Sequence, residues 1–350
     1  AWLPWLCLAY TNAVVRTLAA TPWASLDLGH IGWQWPVMYY TIVAAGAWAL
    51  GRPRRPSARS ARMVLRPGKA LVAVALAAAV LGWLALFQRH DGRLHVAFLD
   101  VGQGDAVLIT TPAGRQILVD GGPSPAALGA ALAREMPFWD RSLDLLILTH
   151  ADEDHLAGMT EALARFRVGG WLDNGRASDE PLYLQALETL EEAGVPRQVV
   201  AAGDRLELGK GAALAVLHPP RGDVPASLAE DNESSIVLRL TWGEASLLLT
   251  GDLGAAGEAH LLAFGQPLGA AVLKVAHHGS GSATGRSFLQ AVAPQLAVIS
   301  VGLDNHFGHP DPALLERLGG VPGLVVLRTD EVGTVEIITD GARLWVRPER

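Results

Sequence analysis

From residue 94 onward the chain is a succession of short apolar runs, most of them closed by Gly, Pro or an acid: LHVAFLDV, DAVLITTP, RQILVDGG, LDLLILTH, GGWLDN, AALAVLHP, SSIVLRLTW, ASLLLTGD, AAVLKVAHH, QLAVISVG, LVVLRT, GTVEIIT and ARLWVRP. Runs of this length, rich in Val, Ile and Leu and bounded by turn residues, predict strands. Between several of them the pattern predicts helices, at residues 124–135, 155–166, 180–193, 254–264, 284–292 and 311–318. Many strands with helices interspersed must bury their apolar faces in layers, so the fold class expected is α/β. No short internal repeat is present.

The first 91 residues obey different rules. Residues 33–51 and 70–87 each run without a charge, and about 18 such residues are what a helix needs to cross a bilayer. Both are expected to be transmembrane helices, with Trp33, Trp35, Tyr39, Tyr40, Trp83 and Phe87 near their ends as interfacial anchors. The alternative is a pair of buried helices in a large soluble domain. The loop between them carries Arg52, Arg54, Arg55, Arg59, Arg62, Arg66 and Lys69 and no acid, which reads better as a cytoplasmic topology signal than as a nucleic-acid-binding run. The domain that follows is then expected on the outer side of the membrane. Residues 1–30, broken by Pro4, Asn12, Arg16 and Pro22, are expected to be an interfacial helix. Without a signal-peptide pattern, the chain reads as the C-terminal piece of something longer.

Charge divides at the same place. Residues 1–91 hold nine Lys and Arg against two acids, a net +7, and the rest hold 19 against 33, a net −14. An acidic domain argues against tight nonspecific binding of nucleic acid through clustered cations. Cys7 is the single cysteine, so thiolate metal sites are excluded and any metal must be held by His and carboxylate.

Polar groups gather where the runs end. Asp100, Asp120, His150, Asp252 and His277 each follow an apolar run, and groups at successive strand ends converge on one edge of a sheet. In HADEDH, His150, Asp152, Asp154 and His155 are packed too tightly for a regular helix to aim them at one point, whereas a loop leading from a strand into a helix can. Such a nitrogen and oxygen set suits two divalent ions about 3.5–4 Å apart. The alternative, an acidic helix N-terminus with incidental histidines, leaves the other strand-end groups unexplained.

The spacing His-x-Asp-x-Asp-His, followed by LLLTGD and LKVAHHGS, resembles the metallo-β-lactamase superfamily, and FLDVGQGDAVLI, HHGS and SVGLDNHFGHP resemble more narrowly its ComEC competence proteins. The resemblance implies an αββα sandwich of the metallo-β-lactamase type over residues 92–350, preceded by α-helical transmembrane segments in a membrane region, 1–91. It implies a multi-pass protein of the bacterial inner (cytoplasmic) membrane with the hydrolase domain extracytoplasmic. The implied partners are DNA, membrane lipid, the upstream part of the channel and DNA receptor proteins of the uptake machinery. Carried over to this chain, His150 and Asp152 would hold one metal and Asp154 and His155 the second, with Asp252 bridging and His277 completing the second. Asp152 stands where a histidine is usual in the superfamily. A further histidine is missing from the strand before the bridging aspartate, and Asn232 or Ser234 would line that side. The oxygen-rich set favours Mn²⁺, with Zn²⁺ or Mg²⁺ as alternatives.

The chemistry implied is hydrolysis of DNA phosphodiesters, degrading the strand that is not imported. Asp154 would orient the nucleophile, and His278 and His309 would contact the scissile phosphate or protonate the leaving oxygen. Asp105, in the glycine-rich turn VGQGDA, is a candidate to support a ligand; that turn lacks the pattern of a phosphate-binding loop. Lys274 is expected to be a solvated or a strand-end charge, and His95, His218, His260 and His306 to be structural or surface residues. The competing readings are a hydrolase acting on another phosphodiester or on a lactam, and a transport subunit whose domain guides DNA without turnover.

Overall fold

The structure, a computed structural model, describes residues 91–137, 140–222 and 225–350. The expected interfacial helix, membrane spans and basic loop lie outside the described residues, among which no helix is long and apolar enough to cross a membrane.

In chain order the strands are β1 (Leu94–Phe98), β2 (Val107–Thr110), β3 (Gln116–Val119), β4 (Ser142–Leu143), β5 (Leu145–Ile147), β6 (Arg167–Val168), β7 (Trp171–Asp173), β8 (Arg197–Val199), β9 (Arg205–Gly209), β10 (Ala212–His218), β11 (Val237–Trp242), β12 (Ala245–Leu249), β13 (Val272–Lys274), β14 (Leu296–Ile299), β15 (Val325–Arg328), β16 (Val335–Thr339) and β17 (Leu344–Pro348). The helices are α1 (Pro125–Glu135), α2 (Glu153–Leu156), α3 (Met159–Arg165), α4 (Pro181–Ala193), α5 (Ala255–Ala263), α6 (Arg286–Val292), α7 (Pro312–Gly319) and α8 (Thr329–Val332).

Two mixed sheets form, in the orders β17-β16-β1-β2-β3-β5-β7-β8 and β15-β14-β13-β12-β11-β10-β9, with β4 and β6 paired apart. One apolar layer takes alternate residues from both sheets: Phe98, Ile109, Ile117 and Ile147 from the first, and Leu214, Leu238, Leu247 and Val298 from the second. Each large side chain so enclosed contributes about 1.5–3 kcal/mol by leaving water. On its other face the second sheet presents Leu248, Leu273 and Ile299 to Leu261 of α5, Phe288 of α6 and Leu314 of α7. The layered α/β class expected from the pattern of runs is therefore present.

Each predicted helix is found, with one broken in two. The stretch expected at 155–166 divides at Gly158 into α2 and α3. The break has a packing cause: a Cβ on Gly158 would collide with the carbonyl oxygen of Gly121. Gly158 N–H donates to Gly122 O at 2.9 Å and Gly121 N–H to His155 O at 2.6 Å. The Gly-Gly pair after β3 thereby fixes the turn that carries the acids and histidines. The short strands β4, β6 and β8 and the one-turn α8 had no run long enough to predict them, and β9, RLELG, alternates charge with leucine and holds no apolar run.

Candidate metal centre

Direction places the site. Strand β3 pairs parallel with β5, β12 with β13, and β13 with β14. Strand β1 is antiparallel to β2, and β2 to β3, so β1 runs the same way as β3. The C-terminal ends of these strands deliver Asp105, Asp120, His150, Asp154 and His155 from one sheet. The other sheet delivers Asp252, Lys274 and His278. Four overlapping sets of three have ligand atoms within 4.8 Å of one another: His150, His155 and Asp252; Asp154, His155 and His278; Asp105, Asp252 and His278; Asp105, Asp120 and His155.

The hydrogen bonds orient the rings. His155 Nδ1–H donates to Asp120 Oδ2 at 2.9 Å, and His278 Nδ1–H donates to Ser300 O at 3.0 Å. Thr149 gives its hydroxyl proton to Asp120 Oδ2 at 2.8 Å, which leaves its oxygen to accept His150 Nδ1–H at 3.0 Å. In each ring the partner fixes the proton on Nδ1 and leaves the Nε2 lone pair free, as a carboxylate or carbonyl behind a metal-bound imidazole does. These three Nε2 atoms, with Asp105 Oδ1 and Asp252 Oδ1, are buried and have no hydrogen-bond partner. Buried polar atoms are nearly always paired, so five such atoms facing each other fit a cation that takes them as ligands.

Charge points the same way. Asp105, Asp120 and Asp252 are buried, and Asp152 and Asp154 partly so. Among the described residues the single ammonium beside them is Lys274, 1% exposed, which pairs with Asp105, donates to Gly251 O at 2.8 Å and lies 3.6 Å from Asp252 Oδ1. Burial opposes charge on His155, yet the Asp252 and Asp120 carboxylates outweigh it and hold the imidazole well above its ordinary 6.5. His278 is likewise raised, against burial, by Asp252 and Asp105. Burial would raise Asp252, but the imidazoles of His278 and His155 hold it well below its ordinary value. Without metal the centre therefore recruits protons.

A prediction follows in sign. Both rings carry protons at pH 7, and a cation needs their lone pairs, so loading must expel about two protons. Titration calorimetry with Mn²⁺ in two buffers of different ionisation enthalpy should report that number, and affinity should rise with pH across 5–8. Metal uptake without proton release would contradict the assignment of His155 and His278.

Several expected residues sit elsewhere than the sequence reading put them. His277 lies at the rim, with Nε2 3.9 Å from Asp252 Oδ2 and the side chain 31% exposed. The inward position belongs to its neighbour: His278 Nε2 is 3.2 Å from both Asp154 Oδ2 and Asp252 Oδ2. The turn at 276–279 explains the exchange, because His277 and His278 both adopt positive φ, 51° and 50°, which reverses the direction of successive side chains. His278, expected to meet the substrate phosphate, is thus among the candidate ligands. His309 stays outside the tight sets, its ring 5.7 Å from that of His277. Asp152 approaches His150 Nε2 at 3.4 Å but is 42% exposed. Asp100 does not join at all: its carboxylate pairs with Arg350 at 3.1 Å.

Lys274 is corrected from solvated charge to buried ion-pair partner, because the flanking Val-Leu run is interior on both faces of β13. Asn232 and Ser234 form a turn beside the centre, with Ser234 accepting from Asn174 Nδ2. The hydroxyl that reaches the site is that of Ser235, 3.4 Å from His150 Nδ1 and accepting Asp252 N–H at 3.3 Å. Sequence reading also passed over Thr149 and Ser300. The adjacency of Thr149 to His150 was the available signal for the first; nothing local marked the second. Among the histidines expected to be structural or on the surface, His95 contacts Asp91 and Glu336, and His218 Nδ1 contacts Ser235 O.

Residues 99–302 match the family model described as the metallo-beta-lactamase superfamily. ComE operon protein 3 of Bacillus subtilis is 35% identical over 259 residues, which cover 69% of this chain and 32% of that protein. Competence protein ComA of Neisseria gonorrhoeae is 33% identical over 248 residues, covering 69% and 32%. Recombination protein 2 of Haemophilus influenzae is 33% identical over 224 residues, covering 63% and 26%. This chain spans about a third or less of the length of these relatives.

Proposed function

This chain belongs to the metallo-β-lactamase superfamily, among its ComEC-family competence proteins, and from that premise we propose that it hydrolyses DNA phosphodiesters as the nuclease part of an uptake channel. The strand degraded is the one not imported. The domain stands on the outer side of the inner membrane, with the upstream channel, lipid and DNA receptor proteins as neighbours. The observation that carries the reading is the set of five partnerless buried atoms from His150, His155, His278, Asp105 and Asp252.

His155 falls in three of the four sets, and one lone pair serves one ion. Two ions would therefore divide the donors: His150 with Asp152 on one side, Asp154, His155 and His278 on the other, and Asp252 between. The oxygen-rich set favours Mn²⁺ over Zn²⁺. Divalent cations held there would lower the pKa of a nearby water and offset charge building on the phosphoryl oxygens.

The chain's own groups do the rest. Asp154, its side chain 33% exposed, is placed to orient a water as well as to ligate. Asp120 and Ser300 O hold two rings in the ligating orientation. Burial, then the neighbouring His277 and His278, lowers His309 below its ordinary value, so at neutral pH this rim imidazole serves as a hydrogen-bond donor to a phosphate rather than as an acid.

The test is cleavage of single- and double-stranded DNA by the detergent-solubilised 350-residue chain with Mn²⁺, Mg²⁺ or Zn²⁺, beside Asp154→Ala. Metal chemistry supplies several kcal/mol, so cleavage should exceed that of the variant by at least about 100-fold. Equal cleavage would assign the activity to contamination, and DNA binding without cleavage would favour a guiding subunit.

A further inference from the structure

The loop from Gly302 to Pro310 is pinned at both ends. Gly302 N–H donates to Gln103 Oε1 at 3.1 Å. Asn305 Nδ2 donates to Gly302 O at 3.0 Å and to His309 O at 2.7 Å, and Asn305 Oδ1 accepts His309 N–H at 3.1 Å. Beyond it, Asp311 N–H donates to Gly279 O at 2.9 Å, so the loop abuts both the glycine turn and the His277–His278 turn. Held in this way, it turns two apolar side chains to solvent: Leu303, 73% exposed, and Phe307, 58% exposed.

Phe307 begins a run of neighbouring rings. Phe307 lies against His306, ring centroids 4.1 Å apart, and nearly parallel to His309, 6.0 Å away at 26°. His309 is 5.7 Å from His277, and His277 is 6.2 Å from His278. The surface aromatic is thus joined ring by ring to the centre.

We propose that Leu303 and Phe307, backed by His306 and His309, form a ledge on which a nucleobase of a single DNA strand stacks beside the metal centre. The inference rests on the phosphodiesterase reading and names how its substrate is held. The charge balance favours this occupant. Among the described residues the ammonium at the centre is that of Lys274, which is buried and spent on Asp105, and the chain from residue 92 on is strongly acidic. Beyond what cations held at the centre would supply, affinity for a strand must then come from its uncharged faces, and an aromatic platform takes any base, because every base has a π-face. Double-stranded DNA hides those faces, so the ledge selects single strands.

The experiment compares a single-stranded oligonucleotide with an oligomer of equal length built from tetrahydrofuran abasic units, both cut by the detergent-solubilised 350-residue chain with Mn²⁺. A stacked base is worth roughly tenfold in affinity, so KM should be about tenfold lower for the base-bearing strand. Phe307→Ala should abolish that preference, bringing the ratio of the two KM values to about one, and Phe307→Trp should keep it. A 2-aminopurine in the strand should be quenched on binding to the wild type and not to Phe307→Ala. Equal KM values for the two oligomers, or equal quenching by wild type and Phe307→Ala, would overturn the ledge. If no oligomer is cut with Mn²⁺, Mg²⁺ or Zn²⁺, the phosphodiesterase reading fails, and the quenching still decides the ledge.

Discussion

Asp252→Ala is expected to strip the centre of metal and to lower phosphodiester hydrolysis by a factor on the order of 10³ or more, the scale of the several kcal/mol that bound cations contribute. The size of the effect comes from position. Asp252 Oδ1 is 3.3 Å from His155 Nε2 and Asp252 Oδ2 is 3.2 Å from His278 Nε2, so one carboxylate faces both halves of the ligand cluster. Its loss removes a donor from each half. It also removes the charge that, against burial, holds His155 and His278 above their ordinary values, so the variant should bind fewer protons at pH 7 as well as fewer ions. Metal content by mass spectrometry and hydrolysis with added Mn²⁺ check this together. A variant that keeps both would show that the carboxylate is a bystander.

Lys274→Met should cost the metal-free chain about 3–5 kcal/mol, the usual penalty for leaving a buried charge without its partner, and a fall in Tm of roughly 10 °C. Methionine matches the stem but supplies no charge, leaving Asp105 and Asp252 buried against each other. Burial would raise Asp105; Lys274 first, then His278, overcome it and hold the carboxyl far below its ordinary 3.8. The sign is that of a depressed acid: the stability is fully present above pH 3.8 and is lost as pH falls below it. The penalty in the variant should therefore shrink in acid. It should also shrink in Mn²⁺, because a cation held by Asp105, Asp252 and His278 replaces the missing ammonium. A melting series with chelator and with Mn²⁺ separates these effects. An equal loss in both would make Lys274 a packing residue only.

The site was legible in the sequence to the extent that strand ends mark an edge. His150 and Asp252 end apolar runs whose parallel partners could be inferred, and HADEDH declared its own turn. Three features were not legible, for separable reasons. Which of His277 and His278 faces inward depends on two consecutive positive φ angles that no residue type announces, since neither is glycine. Lys274 reads as solvated because lysine usually is; its burial follows from the place of β13 between two parallel strands, a fact of topology. Asp100 failed by register: β1 ends at Phe98 and Leu99 N–H is bonded to Ala106 O, so the chain has already turned and Asp100 N–H meets Thr334 Oγ1 instead.

The fold shows the same division. The apolar run that became β10 and the alternating VLRLTW that became β11 were readable without tertiary knowledge. The two-residue strands β4 and β6 exist because Gly169 N–H finds Leu143 O and Arg167 N–H finds Arg141 O across a distant segment. A local pattern cannot encode that pairing. The Gly158 break in the helix after HADEDH is of the same kind, set by the carbonyl of Gly121 pressed against it.

The most direct test of the account is anomalous scattering at the manganese edge from crystals of the 350-residue chain grown with Mn²⁺. The account predicts a strong peak enclosed by His155 Nε2, His278 Nε2 and the carboxylates of Asp154 and Asp252, with a second, if present, beside His150 Nε2. Manganese bound elsewhere, or those three imidazole nitrogens bonded only to protein or water at saturating metal, would contradict it.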